Sequence, residues 1–200
     1  MKKALKIILI VLAIVLLLPR LLVVVALAIA TTTNYTDTQR DDAGFVYLTR
    51  EKNKKAAVCG YVWDPESGDN VVTIPESFGE YPVKGLGGSV GRGAPAPFGV
   101  EIKDLDSRLG VGLSGGSFPR KVQGKAVEVV YVDLALNIGP NIREIHAASD
   151  DAFLSDGKLY AVRLYVNCDP ANPKFYSEDG VLYQKNGQPV KGLLYWNRDY

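Results

Sequence analysis

Asp156-Gly157-Lys158-Leu159-Tyr160-Ala161-Val162-Arg163-Leu164-Tyr165-Val166 is a turn signal followed by the longest clean strand-like run in the chain. An Asp-Gly pair supplies the positive φ angles that a two-residue hairpin turn needs. The residues after Lys158 are almost all aliphatic or aromatic, the composition of a pleated, half-buried segment. Two more such pairs follow, Asp179-Gly180 and Asn186-Gly187, and the run Val181-Leu182-Tyr183 between them predicts a short strand. Toward the N-terminus, residues 45–48, 56–63, 71–74 and 127–136 share the same Val, Tyr and Ile texture. No window of eleven or more residues beyond residue 30 carries a sustained helical period. The chain is therefore expected to be mainly β, built of short strands, with helix a minor component.

Residues 85–124 break this pattern, holding eleven of the twenty glycines and three of the eleven prolines. Ala94-Pro95-Ala96-Pro97 favours extended polyproline geometry. The stretch reads as an irregular insertion in preference to a binding loop.

The N-terminus has a different character. Lys2, Lys3 and Lys6 precede an apolar run from Ile7 to Ala30 that is interrupted only by Pro19 and Arg20. Two readings share it. Residues 7–18 have the length of a signal-peptide core, and Ala28-Ile29-Ala30 resembles a small-x-small cleavage site. As one helix, residues 7–30 would be about 36 Å long, enough to span a bilayer even with Arg20 costing roughly 3 kcal/mol. A retained hydrophobic helix is preferred slightly over cleavage. The lysines before the run, with Asp37, Asp41 and Asp42 after it, place the N-terminus inside and the rest of the chain outside the cytoplasm. The organisation expected is a leader or anchor over residues 1–30, a polar spacer over 31–43, and an extracytoplasmic β-rich domain over 44–200.

Charge and side-chain inventory exclude several functions. Four of the 23 basic residues lie in the leader and none of the 22 acidic ones, so residues 31–200 carry 19 − 22 = −3. That balance gives no support to nucleic-acid binding. One histidine and two distant cysteines do not make a metal site, and Asp150, Asp151 and Asp156 lack calcium-loop spacing. Asp104 and Asp106 have the spacing of two carboxylates on one side of a strand, a pattern that charged, glycine-flanked segments produce routinely. No cofactor is expected. In an oxidising compartment Cys59 and Cys168 are either one disulfide or two buried thiols.

Gly112-Leu113-Ser114-Gly115-Gly116 fits the G-x-S-x-G frame of a nucleophile elbow, for which His146 would be the base and Asp133 its orienter. The strand before and the helix after that such a turn requires are missing, so the non-catalytic reading is preferred. Aromatic residues remain as recognition candidates. All eleven tyrosines and both tryptophans follow the leader, and the apolar terminus 193–200 offers Tyr195, Trp196 and Tyr200 as a binding patch.

Three segments carry a family resemblance. Val72-Thr73-Ile74-Pro75-Glu76-Ser77, followed by Tyr81-Pro82-Val83-Lys84-Gly85-Leu86-Gly87, resembles the opening unit of BspA-type leucine-rich repeats on bacterial cell surfaces. Asn172-Pro173-Lys174-Phe175-Tyr176-Ser177-Glu178-Asp179-Gly180-Val181-Leu182-Tyr183 is similar to a recurrent segment of that family. Asn141-Ile142-Arg143-Glu144-Ile145 with Ala152-Phe153 is a weaker match. The resemblance implies stacked units, each covering the apolar face of the last. The chain departs from it in showing no run of three or more equal-length copies. The fold expected is thus a leucine-rich-repeat-like or irregular β domain. The function expected is binding of a protein or glycan at the cell envelope. The alternatives are an envelope serine hydrolase using Ser114 and His146, and a structural subunit of a membrane complex.

Overall fold

The computed structural model describes residues 38–89, 95–105, 111–112, 118–122, 124–147 and 151–197. The leader and most of the spacer, with Asp106, Ser114, Asp150 and Tyr200, lie outside the described residues. The described part is mainly β.

In chain order the strands begin with β1 (Gln39–Arg40), β2 (Phe45–Arg50), β3 (Lys55–Trp63), β4 (Val71–Thr73), β5 (Ser77–Phe78) and β6 (Tyr81–Leu86). The glycine-rich stretch contributes β7 (Gly88–Ser89), β8 (Pro95–Ala96), β9 (Gly99–Ile102), β10 (Val111–Gly112) and β11 (Lys121–Val122). The remaining strands are β12 (Lys125–Ala126), β13 (Glu128–Ile138), β14 (Glu144–Ile145), β15 (Asp151–Ser155), β16 (Lys158–Cys168), β17 (Phe175–Glu178) and β18 (Val181–Gln184). Among the described residues, helix is limited to the single turns Glu51–Asn53 and Pro65–Ser67.

Each strand-like segment of the sequence is a strand. Two of the three turn pairs behave as expected. Asp156-Gly157 joins β15 to β16 and Asp179-Gly180 joins β17 to β18, with φ of 49° and 75° in the first and 49° and 76° in the second. The third differs. Only Gly187 has positive φ, and Gln184 N–H donates to Gln188 O across the loop 185–187, so this turn is wider. Asn186 instead accepts from Gln188 N–H through its side chain.

Two sheets enclose the main core. The first runs β1-β2-β3-β6-β14, with β5 on β6 and β9 parallel to β3. The second runs β10-β15-β16-β13-β4. Its centre is a parallel ladder, β13 on β16 from Glu128↔Lys158 to Ile138↔Cys168 at a constant offset of thirty residues. The strand β4 adds Val71↔Ala135, Val72↔Leu136 and Thr73↔Asn137 on the far side. Across the core, Gly85↔Glu144 and Leu86↔Ile145 pair β6 with β14, also in parallel. In chain order β4, β13 and β16 of the second sheet alternate with β6 and β14 of the first, while β17 and β18 form a two-stranded sheet of their own. Parallel neighbours need a long crossover, and the described residues of these crossovers form short strands and turns.

Burial drives this arrangement. Val72, Leu136 and Val166 stack in register, facing Val58, Val83 and Leu86 of the first sheet. Each is fully enclosed, which stabilises by roughly 1.5–3 kcal/mol per side chain. On the opposite face of β16, Leu159 and Ala161 form a smaller core with Phe118, Ala152 and Leu194. Here the expectation for residues 85–124 needs correction. Their described parts are built into the body, with β9 in the first sheet, β10 in the second, and Phe98, Val100, Ile102 and Phe118 buried. At Gly87, φ is +72° and a Cβ would stand 2.1 Å from His146 O, so only glycine lets the two chains pass.

After β16 comes Asn172, whose side chain is buried. Its Nδ2 donates to Gly139 O at 2.9 Å and Ile142 O at 3.1 Å, and its Oδ1 accepts from the N–H groups of Lys174 and Phe175. One side chain thus satisfies four backbone groups on two successive turns of the chain.

Candidate binding face

The outward side of the β4-β13-β16 ladder is set by strand alternation. With Val72, Leu136 and Val166 turned inward, their neighbours must point out. One outward row is Val71, Ala135 and Tyr165, in register across the three strands. Val71 is 49% exposed and Tyr165 40%. Trp196, 42% exposed, extends the row, its ring 5.6 Å from that of Tyr165 and tilted by 43°. These are the large apolar side chains left open to solvent among the described residues.

Trp196 is placed by the turn between β17 and β18. Its indole N–H donates to Asp179 O at 3.2 Å, and the Asn197 side chain reaches the same oxygen at 3.4 Å. The turn fits beneath the rings because residue 180 is glycine. A Cβ there would lie 2.5 Å from both Trp196 Nε1 and Tyr165 Cδ2.

The next outward row is polar. Asn137 Nδ2 donates to Thr73 Oγ1 at 3.0 Å, and Asn167 Nδ2 donates to Asn137 Oδ1 at 3.0 Å. The donors and acceptors repeat at the strand spacing of about 4.8 Å. On the other flank, Arg163 grips Asp133 with Nε at 2.7 Å and Nη2 at 2.8 Å, and lies 4.4 Å from the centre of the Tyr131 ring. The face therefore carries three bands: ion pair, apolar row, amide ladder.

The structure separates the residues that sequence grouped. Tyr195 is a core residue, 1% exposed, whose hydroxyl donates to Val190 O at 2.8 Å. It alternates with Leu194 and Trp196 as residues 194–196 run beside β16, where Leu164 N–H donates to Leu194 O and Trp196 N–H to Leu164 O. Of the proposed patch, Trp196 alone is described and open. His146 is exposed beyond β14, while Asp133, its supposed orienter, is committed to Arg163. Asp104 lies in a turn with φ of +64°, not in a strand. Cys59 on β3 and Cys168 at the end of β16 are free thiols on different sheets, not a disulfide. Burial pushes the Cys59 thiol up to about 11 and raises that of Cys168 as well. Among the described residues, no group of three or more His, Cys, Asp or Glu is placed to hold a metal ion.

The amide ladder was missed from sequence, although its signal is present. Val72-Thr73-Ile74, Leu136-Asn137-Ile138 and Val166-Asn167-Cys168 are three apolar-polar-apolar triplets, each with a proline one or two residues further on. Their spacings of 64 and 30 residues hid the repeat. Compared with protein-family profiles, curated proteins and solved structures, the chain matches none.

Proposed function

We propose that residues 44–200 form a non-catalytic recognition module at the bacterial cell envelope. On this reading it is a reduced relative of BspA-type leucine-rich repeat proteins and binds glycan through the β4-β13-β16 face. Residues 7–30 hold it in the membrane with the N-terminus inside, or direct its secretion when cut. The repeat reading is supported by where the resembling segments fall. They contain β4 and β6, then β14, then β17 and β18, and β6 pairs with β14 in parallel within the first sheet.

The observation that carries the glycan reading is the exposed row Val71, Tyr165 and Trp196 beside the Thr73-Asn137-Asn167 ladder. Aromatic rings receive the C–H faces of sugar rings, and a line of amides and hydroxyls offers paired donors and acceptors to sugar hydroxyls. An exposed apolar row also favours a protein partner, which is the second reading. The test is a glycan array probed with the full-length protein and with Trp196→Ala and Asn167→Ala variants. Saturable glycan binding weakened by both substitutions supports the proposal. Binding unchanged by either, or absent, removes it. If in addition a Trp196-dependent protein is captured from envelope extracts, the second reading takes its place.

A further inference from the structure

Away from the ladder face, the end of the first sheet and the β17-β18 hairpin diverge to leave an open groove of about 1090 Å³. One wall is β14 with its flanks, the other is the segment before β17 and the loop after β18. The cations Arg143, Lys174 and Lys191 converge on it from three separate segments, against the single carboxylate of Glu144. None of the three has an ion-pair partner among the described residues. The Arg143 guanidinium donates to the carbonyls of Pro140 and Ile142, through Nη1. Counted this way the groove holds +2, in a region of the chain whose net charge is −3. Cations gathered in a concave site, without ion-pair partners among the described residues, favour an anionic ligand.

We propose that this groove binds a segment of an anionic polysaccharide whose carboxylates recur along the chain. Cations drawn from three segments around one groove of about 1090 Å³ suit charges repeated along a polymer. Between them stand Gln184, Gln188 and His146, side chains that donate and accept and so match sugar hydroxyls. Planar guanidinium matches planar carboxylate. An acidic peptide fits less well, because peptide grooves anchor apolar side chains in open apolar pockets. Here Phe175 and Val190 are closed, at 7% and 6% exposed, and the open apolar lining is limited to Pro97, Pro189 and the half-buried Ile145 and Ala147.

The test uses the full-length protein and three probes of matched length: an oligogalacturonate, a neutral dextran oligomer and an oligoglutamate. Calorimetry should show saturable oligogalacturonate binding that weakens with added salt, no dextran binding, and oligoglutamate at least tenfold weaker. The Lys174→Gln/Lys191→Gln double variant should lose at least tenfold in oligogalacturonate affinity with an unchanged melting temperature. Lys185→Gln serves as control, since Lys185 lies over the Tyr176 ring and outside the groove. Trp196→Ala should leave this binding intact, which separates the groove from the ladder face. Absence of saturable oligogalacturonate binding, or binding that survives the double variant, overturns the proposal. Oligoglutamate binding as tight or tighter assigns the groove to acidic peptides and overturns it equally.

Discussion

Asn137 and Asn167 stand thirty residues apart in the chain and side by side in the fold, with Asn167 Nδ2 donating to Asn137 Oδ1 at 3.0 Å. Thr73 completes the ladder on the third strand, accepting from Asn137 Nδ2. Each contact fixes the register of one parallel pair. A slip by one residue would turn Asn167 into the core and Val166 out to water.

A double-mutant cycle on Asn137→Ala and Asn167→Ala should therefore give a coupling energy of about 0.5–1 kcal/mol in urea unfolding, the net worth of one solvent-exposed hydrogen bond. Strict additivity would mean that water replaces the amide contact without loss.

Asn172 is a sharper case because its side chain is buried and its partners are backbone groups, two of the four bonds being buried and two partly so. Asn172→Ala strips partners from two carbonyls and two N–H groups at once, and should cost about 3 kcal/mol. Asn172→Asp keeps the acceptor and loses the donor, while adding a buried charge, so it should be no milder. A loss under about 1 kcal/mol for the alanine variant would contradict the bridging role.

Glycine 180 and glycine 187 both have positive φ, at +76° and +84°, yet they should respond differently to alanine. At Gly187 nothing lies within 4 Å of the added Cβ, so only backbone strain of about 1 kcal/mol is expected. At Gly180 the Cβ meets the Trp196 and Tyr165 rings as well. Gly180→Ala should destabilise more and shift tryptophan fluorescence, and Gly187→Ala should leave the fluorescence unchanged. Equal behaviour of the two would show that the turn is free to move away from the rings.

Burial holds the Cys59 thiol at about 11, above its ordinary value of 9.0. The thiolate is the reactive form, so native protein at pH 8 should alkylate slowly at Cys59, and faster at the less buried Cys168. Intact mass after unfolding in alkylating reagent should show both cysteines modified without prior reduction. The linkage has a definite sign. The unfolded thiol ionises above pH 9 while the folded one stays protonated, so the contribution of Cys59 to stability is present below pH 9 and is lost as pH rises toward 11. Cys59→Ala should flatten the stability profile over that window; an unchanged slope there would contradict the assignment.

The chain's local choices were legible in its residues. The run Leu159 to Val166, the turns at Asp156-Gly157 and Asp179-Gly180, and the scarcity of helix all follow from propensity, alternation and φ preference, which act over a few residues. Partners were not legible, because a strand's composition does not say which other strand lies beside it. That β13 joins β16 in parallel, at an offset of thirty residues, depends on burying Leu136 and Val166 against the first sheet through crossovers of irregular length. The same cause turned Tyr195 into the core and left Trp196 outside: which of the two neighbours is buried was set only when residues 194–196 docked beside Leu164. Sequence determined where the longer strands and two of the three marked turns are. Tertiary packing decided which faces meet solvent, and with them the aromatic row, the amide ladder and the basic groove.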